Sequence, residues 1–148
     1  MPTKSRKRKI PTHEEEVNTL YNEYVRVFEN KLGTGITTSS QLNTEGEITF
    51  GDDWRGVFAQ DSILPKDGLY IVNTDRKGES GTHWMAVNAN ANLLYDSYGR
   101  SKKKVLSQWK GEETEHDAEQ SENEFNCGQR SLAWLLVSMS FPEFAAMI

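Results

Sequence analysis

Four residues whose types cooperate in thiol acyl transfer stand in this chain, each in a recognisable local setting. Cys127 stands near the end of the run Gln120-Ser121-Glu122-Asn123-Glu124-Phe125-Asn126-Cys127-Gly128. His83 lies in Gly81-Thr82-His83-Trp84-Met85-Ala86-Val87, and Asp96 in Leu94-Tyr95-Asp96-Ser97-Tyr98-Gly99. A cysteine nucleophile requires a base, the base an orienting acid, and the acyl intermediate a donor for its oxyanion. In that scheme Cys127 attacks, and His83 takes its proton and later returns one to the leaving amine. Asp96 holds the imidazole, while the Cys127 N–H and the Gln120 carboxamide receive the oxyanion. Singly, each residue has a plainer reading: a buried small hydrophobe, a strand histidine, a turn former, a loop amide. Their joint occurrence favours the chemistry.

The elements needed to position these groups are legible in the periodicity. Thr12-His13-Glu14-Glu15 reads as a capping box, and Val17, Leu20, Tyr21, Tyr24, Val27 and Phe28 follow at helical spacing until Gly33 and Gly35. The Thr/Ser-rich stretch to Gln41 reads as a loop and Ile48–Phe50 as a short strand. Leu69–Val72 reads as a stronger strand after the turn Pro65-Lys66-Asp67-Gly68. Arg76 to Gly81 is a polar loop. His83–Asn88 and Asn92–Ser97 then pair as a hairpin across Ala89-Asn90-Ala91, which brings the histidine end of one strand beside the aspartate end of the next. Gly111 to Glu124 carries seven acids without a Lys or Arg and reads as an exposed loop. From Gly128 to Met139 the chain is apolar nearly all round, as in a buried helix, with Pro142 beyond its end. Cys127 then falls at a helix N-terminus, where the dipole and an imidazolium both favour the thiolate.

Composition narrows the function classes. A chain of 148 residues corresponds to one domain, expected over 11–148 behind a basic arm at 1–10. Five of its 17 basic residues (Lys4, Arg6, Lys7, Arg8 and Lys9) fall in the first ten positions, where none of the 22 acids lies. Such an arm on an acidic body suits a nuclear address, a DNA-binding tail or a plain solubilising terminus. No apolar run approaches the roughly 20 residues of a membrane span, and none follows the basic terminus as in a secretory signal. With a single cysteine there is no internal disulfide, which suits a reducing compartment. One Cys with His13, His83 and His116 makes no zinc pattern. The acids show no specific glycosidase pairing. Gly33-Thr34-Gly35 is too short for a phosphate loop.

Taken together, Tyr70-Ile71-Val72-Asn73-Thr74, Gly81-Thr82-His83-Trp84-Met85-Ala86 and Leu94-Tyr95-Asp96-Ser97-Tyr98-Gly99 resemble the adenain family, the adenovirus maturation proteases. Gln120 precedes Cys127 by seven positions, as a Gln precedes the Ala-Cys-Gly helix start there. The order His, acid, Gln, Cys is shared with the SUMO-specific peptidases. The resemblance spans roughly residues 50 to 139. It implies an α+β fold in which a central mixed or antiparallel sheet packs against helices and a buried helix starts at the catalytic Cys, a permuted papain-like arrangement. It implies a cysteine endopeptidase with His83, Asp96 and Cys127 as the triad and Gln120 as oxyanion donor. Virion or capsid precursors would be cut after glycine, in the virion and the infected cell. Trp54 and Trp84 would wall the substrate groove.

The chain departs from the family in its Asp96 in place of Glu, its short C-terminal part, and its shorter stretch between Asp96 and Gln120. A compact form of this kind is similar to the proteases of virophages and virus-like transposons. A disulfide-tethered activator would consume the lone thiol, so activation is expected, if at all, from DNA or a non-covalent viral peptide, with no metal and no membrane partner. Two alternatives stand beside this reading: an isopeptidase of a ubiquitin-like modifier, and a non-catalytic nucleic-acid-associated virion protein. The acids Glu119, Glu122 and Glu124 suggest in addition that basic side chains flank the scissile bond.

Overall fold

The structure, a computed structural model, describes residues 12–74, 83–99, 106, 108–115, 118–120 and 124–148. The basic arm and the polar loop before His83 lie outside them. Helix α1 (His13–Leu32) starts where the sequence places it: the Thr12 hydroxyl accepts the Glu15 N–H at 3.1 Å, and Glu14, Glu15 and Glu16 occupy the positive end. It stops at Gly33, whose φ of 84° lies in the left-handed region. Its buried row is Val17, Tyr21, Val25 and Phe28. Val27, expected on that face, is exposed instead.

The next segment corrects the sequence reading. Ser39–Phe50, of which the part to Gln41 was expected as a loop and Ile48–Phe50 as a strand, is a second helix, α2. A full capping box starts it: Thr38 Oγ1 accepts the Gln41 N–H at 3.1 Å, and the Thr38 N–H donates to Gln41 Oε1 at 2.9 Å. Leu42, Gly46 and Phe50 then fall on one face at four-residue spacing and are buried, whereas Ile48 points to solvent. The β-favouring Ile-Thr-Phe run is overridden by that helical stripe. Gly46 lets the Trp54 ring lie on the helix; a Cβ there would stand 2.2 Å from Trp54 Cε2.

A short 3₁₀ turn (Gly51–Asp53) leads into β1 (Trp54–Ala59), followed by β2 (Leu69–Asn73), β3 (Trp84–Asn88), β4 (Leu93–Tyr95) and β5 (Glu112–Glu113). These form one mixed sheet in sequential order, with β1/β2 and β4/β5 parallel and the two central pairings antiparallel. The residues of β5 were expected in an exposed loop. Main-chain pairing explains the difference: the Glu112 N–H donates to Asn92 O and the Thr114 N–H to Leu94 O, each at 3.0 Å, so charged side chains edge the sheet.

Period-two alternation divides the sheet into two apolar faces. Leu69, Ile71, Trp84, Ala86, Leu93 and Tyr95 face one way, onto α1 and the long helix α3 (Cys127–Ser140). Tyr70, Val72, Met85, Val87 and Leu94 face the other, with Leu106. Helix α3 is buried on nearly every side, as its composition requires, and a short α4 (Pro142–Ala145) follows. The architecture is therefore α+β, a five-stranded mixed sheet packed against helices with a buried helix beginning at Cys127. No helix among the described residues is long and apolar enough to cross a membrane.

Candidate active site

The β3–β4 hairpin sets the first relationship. Ala86 pairs with Tyr95, so continuing the register toward the open end brings His83 level with Tyr98 and one diagonal step from Asp96. There the His83 Nε2–H donates to Asp96 Oδ1 at 2.6 Å, with both side chains almost wholly buried. The same oxygen accepts the Tyr98 N–H at 3.0 Å, which ties the carboxylate to its own turn. Two donors on one oxygen fix the carboxylate, and the carboxylate fixes the tautomer. The second ring nitrogen, Nδ1, then carries the lone pair. It is buried, and among the described residues no well-formed hydrogen bond reaches it.

Helix α3 sets the second relationship. It lies along β3, joined at intervals that keep one helical face on the strand. The Trp84 N–H donates to Cys127 Sγ at 3.4 Å, Ser131 Oγ to Trp84 O at 3.3 Å, and Asn88 Nδ2 to Ser138 Oγ at 2.8 Å. That stripe puts the thiol at the His83 end of β3. Burial, the largest single influence on His83, opposes a charge on its ring. The hydrogen bond to Asp96 and the nearness of the Cys127 sulfur, together with the charges of both, outweigh it, and the ring's pKa moves up from 6.5. Because Asp96 takes Nε2, Nδ1 is the nitrogen left for the sulfur. The Tyr98 ring stacks over the imidazole with centroids 4.5 Å apart at 24°, a geometry that also favours a cation.

Cys127 is the first residue of α3, and its N-cap, Asn126, makes no side-chain capping bond. The first N–H groups of the helix therefore stay available to an anion beside the sulfur. Gly128 is required by packing: a Cβ there would stand 2.1 Å from Thr37 Oγ1 and 2.9 Å from Leu42 Cδ2. The α1–α2 loop is drawn onto this point by Gln129, whose Nε2 donates to Gly33 O and Gly35 O at 2.6 and 3.0 Å.

Gln120 is buried and thoroughly held. Its Oε1 accepts from Ser97 Oγ at 2.6 Å, and its Nε2 donates to Glu124 O at 2.7 Å and to Tyr98 OH at 3.3 Å. Both amide protons are thus engaged within the protein. An oxyanion would take the place of one acceptor, and the longer bond to Tyr98 is the weaker.

Trp54 and Trp84, expected as groove walls, are core residues. Trp54 is 9% exposed, stacks on Phe50 and donates to Asn43 Oδ1; Trp84 is 6% exposed and donates to Thr37 O. An indole N–H with an internal acceptor can enter the core, and both did. Glu124, expected to face a basic substrate, turns its carboxylate to Arg130 at 3.2 Å. Glu119 is half-buried, and Glu122 and Lys4, Arg6, Lys7, Arg8 and Lys9 lie outside the described residues.

Sequence reasoning passed over Ser97, Tyr98 and Arg130. The hairpin register could have found Tyr98, since it falls opposite His83. Nothing local marks Arg130. Among the described residues no group of three His, Cys, Asp or Glu converges as a metal site. No protein-family model and no curated protein matches the chain.

Proposed function

We propose that the chain is a cysteine endopeptidase, similar to adenain in the order and roles of its site residues. The observation that carries this reading is the buried His83–Asp96 pair at 2.6 Å, with no well-formed hydrogen bond on the remaining ring nitrogen among the described residues, the Cys127 sulfur near enough to act on the ring, and that thiol at a helix start without a side-chain cap. A purely structural histidine would have both nitrogens satisfied or solvated.

In the proposed reaction the Cys127 proton passes to His83 Nδ1 and the sulfur attacks the scissile carbonyl carbon. The oxyanion is met by the Cys127 N–H and by Gln120 once its bond to Tyr98 opens. The C–N bond then breaks, and the amine leaves with the proton from Nδ1. Water, deprotonated by the same nitrogen, attacks the thioester and releases the acid and the thiol. Asp96 stays ionised and holds the ring through both steps.

Virion precursor proteins cut after glycine are the substrates that the resemblance suggests, with DNA reached through the basic arm or a non-covalent peptide as activator. Peptides with internal glycines, offered beside conjugates of a ubiquitin-like modifier, test this directly. Wild type should cleave the peptides, and Cys127→Ser should leave them intact. Turnover of the conjugates alone would replace the proposal with an isopeptidase, and no turnover of either, with DNA present, would favour a binding protein.

A further inference from the structure

Arg130 sits one turn into α3, three residues beyond Cys127, with a side chain only 11% exposed. Its guanidinium reaches three partners, each at 3.2 Å: Nη2 to Glu124 Oε2, Nε to Asn126 Oδ1, and Nη1 to Tyr21 OH. Two of these belong to the segment that enters the helix. The third is on α1 and is itself anchored, for Tyr21 OH and Tyr95 OH share a buried hydrogen bond of 2.6 Å. Tyr95 in turn stacks on Trp134 at 5.3 Å and 4°. Asn126 Nδ2 adds bonds to Glu124 Oε2 and to Glu29 Oε2, at 3.4 and 3.2 Å.

The two groups held by Arg130 are those that define the proposed oxyanion site. Glu124 O is the acceptor that fixes Gln120 Nε2, and Asn126 carries the peptide whose N–H belongs to Cys127. Resting on the acyl-transfer reading, we infer that Arg130 is a positioning residue, which clamps the 124–126 segment to α1 and so sets the oxyanion donors relative to the thiol. A planar fork with three directed donors suits this role, and a lysine could reproduce it only in part. Arg130 has no contact with His83 or Asp96 among the hydrogen bonds just described. Its influence should therefore fall on the donors and spare the proton relay.

Two reactions of Cys127 separate these. Iodoacetamide alkylates the thiolate at a tetrahedral carbon and forms no oxyanion. Acylation by an N-blocked glycylglycine aryl ester passes through one. In Arg130→Met, alkylation across pH 5–9 should stay within about twofold of wild type, while acylation should fall roughly 10- to 100-fold, the scale of a catalytic group displaced by about 1 Å. Arg130→Lys should recover part of the loss. Glu124→Gln should give a smaller loss in the same direction, and combining it with Arg130→Met should add little, since both act on one contact. Glu124 is partly solvated, so the first variant does not strand a buried charge. Equal losses in both reactions, or a loss in neither, would overturn the inference. A wild-type thiol whose alkylation ignores His83→Ala would instead sink the acyl-transfer reading beneath it.

Discussion

Replacing Asp96 with Asn isolates the charge of the acid from its geometry. Asp96 Oδ1 receives two N–H groups, from His83 Nε2 at 2.6 Å and Tyr98 N at 3.0 Å. The carbonyl oxygen of an asparagine fits that point, because turning its NH₂ there would set donor against donor at the Tyr98 N–H. With its oxygen so placed, Asp96→Asn keeps an acceptor for the Nε2–H and removes the negative charge. A hydrogen bond to a charged group contributes about 1–1.5 kcal/mol more than a neutral one, close to a tenfold change in the population of the charged ring. Burial, already the largest single influence on His83, then pulls its pKa down. The expected result is an alkylation rate of Cys127 near pH 6.5 reduced about tenfold, with thermal stability lowered by about 1–1.5 kcal/mol. Asp96→Ala should do more, since it strands a buried N–H at a cost of about 1–3 kcal/mol. Iodoacetamide kinetics from pH 5 to 9, with melting curves of each variant, measure both quantities. An Asn variant with the wild-type rate at pH 6.5 would refute the assignment of Asp96 as support for a charged His83.

The upward shift of His83 also ties stability to pH. Its folded-state pKa exceeds the unfolded 6.5, so the stabilisation is fully present below that value and is lost as pH rises through the folded pKa. Urea unfolding should show the wild-type advantage over His83→Gln shrinking as pH is raised from 6.5; an advantage that grows instead would give the shift the opposite sign. Gly128→Ala should destabilise by about 1–3 kcal/mol through its clash with Thr37 and Leu42, read from the same denaturant midpoint, and an unchanged midpoint would mean that the loop yields freely.

Some of this protein is determined by its sequence alone, because the responsible forces act within a few residues. The Thr12 cap and Gly33 stop bound α1, the continuous apolar runs Leu69–Val72 and Trp84–Val87 mark the strands, and the short turn between Asn88 and Leu93 makes the hairpin that joins His83 to Asp96. The all-round apolar run after Cys127 announces a buried helix with a cysteine at its positive end. Where local preferences compete, sequence reading fails: Ile48-Thr49-Phe50 has strand character, yet the Thr38–Gln41 box and the Leu42–Gly46–Phe50 stripe win once Trp54 packs on that face. The tertiary structure alone decided which polar groups meet. Arg130 with Tyr21, Gln120 with Ser97, and Trp84 with Thr37 lie 109, 23 and 47 residues apart. Each was settled by the need of a buried polar atom for a partner, a need that only the packed interior creates.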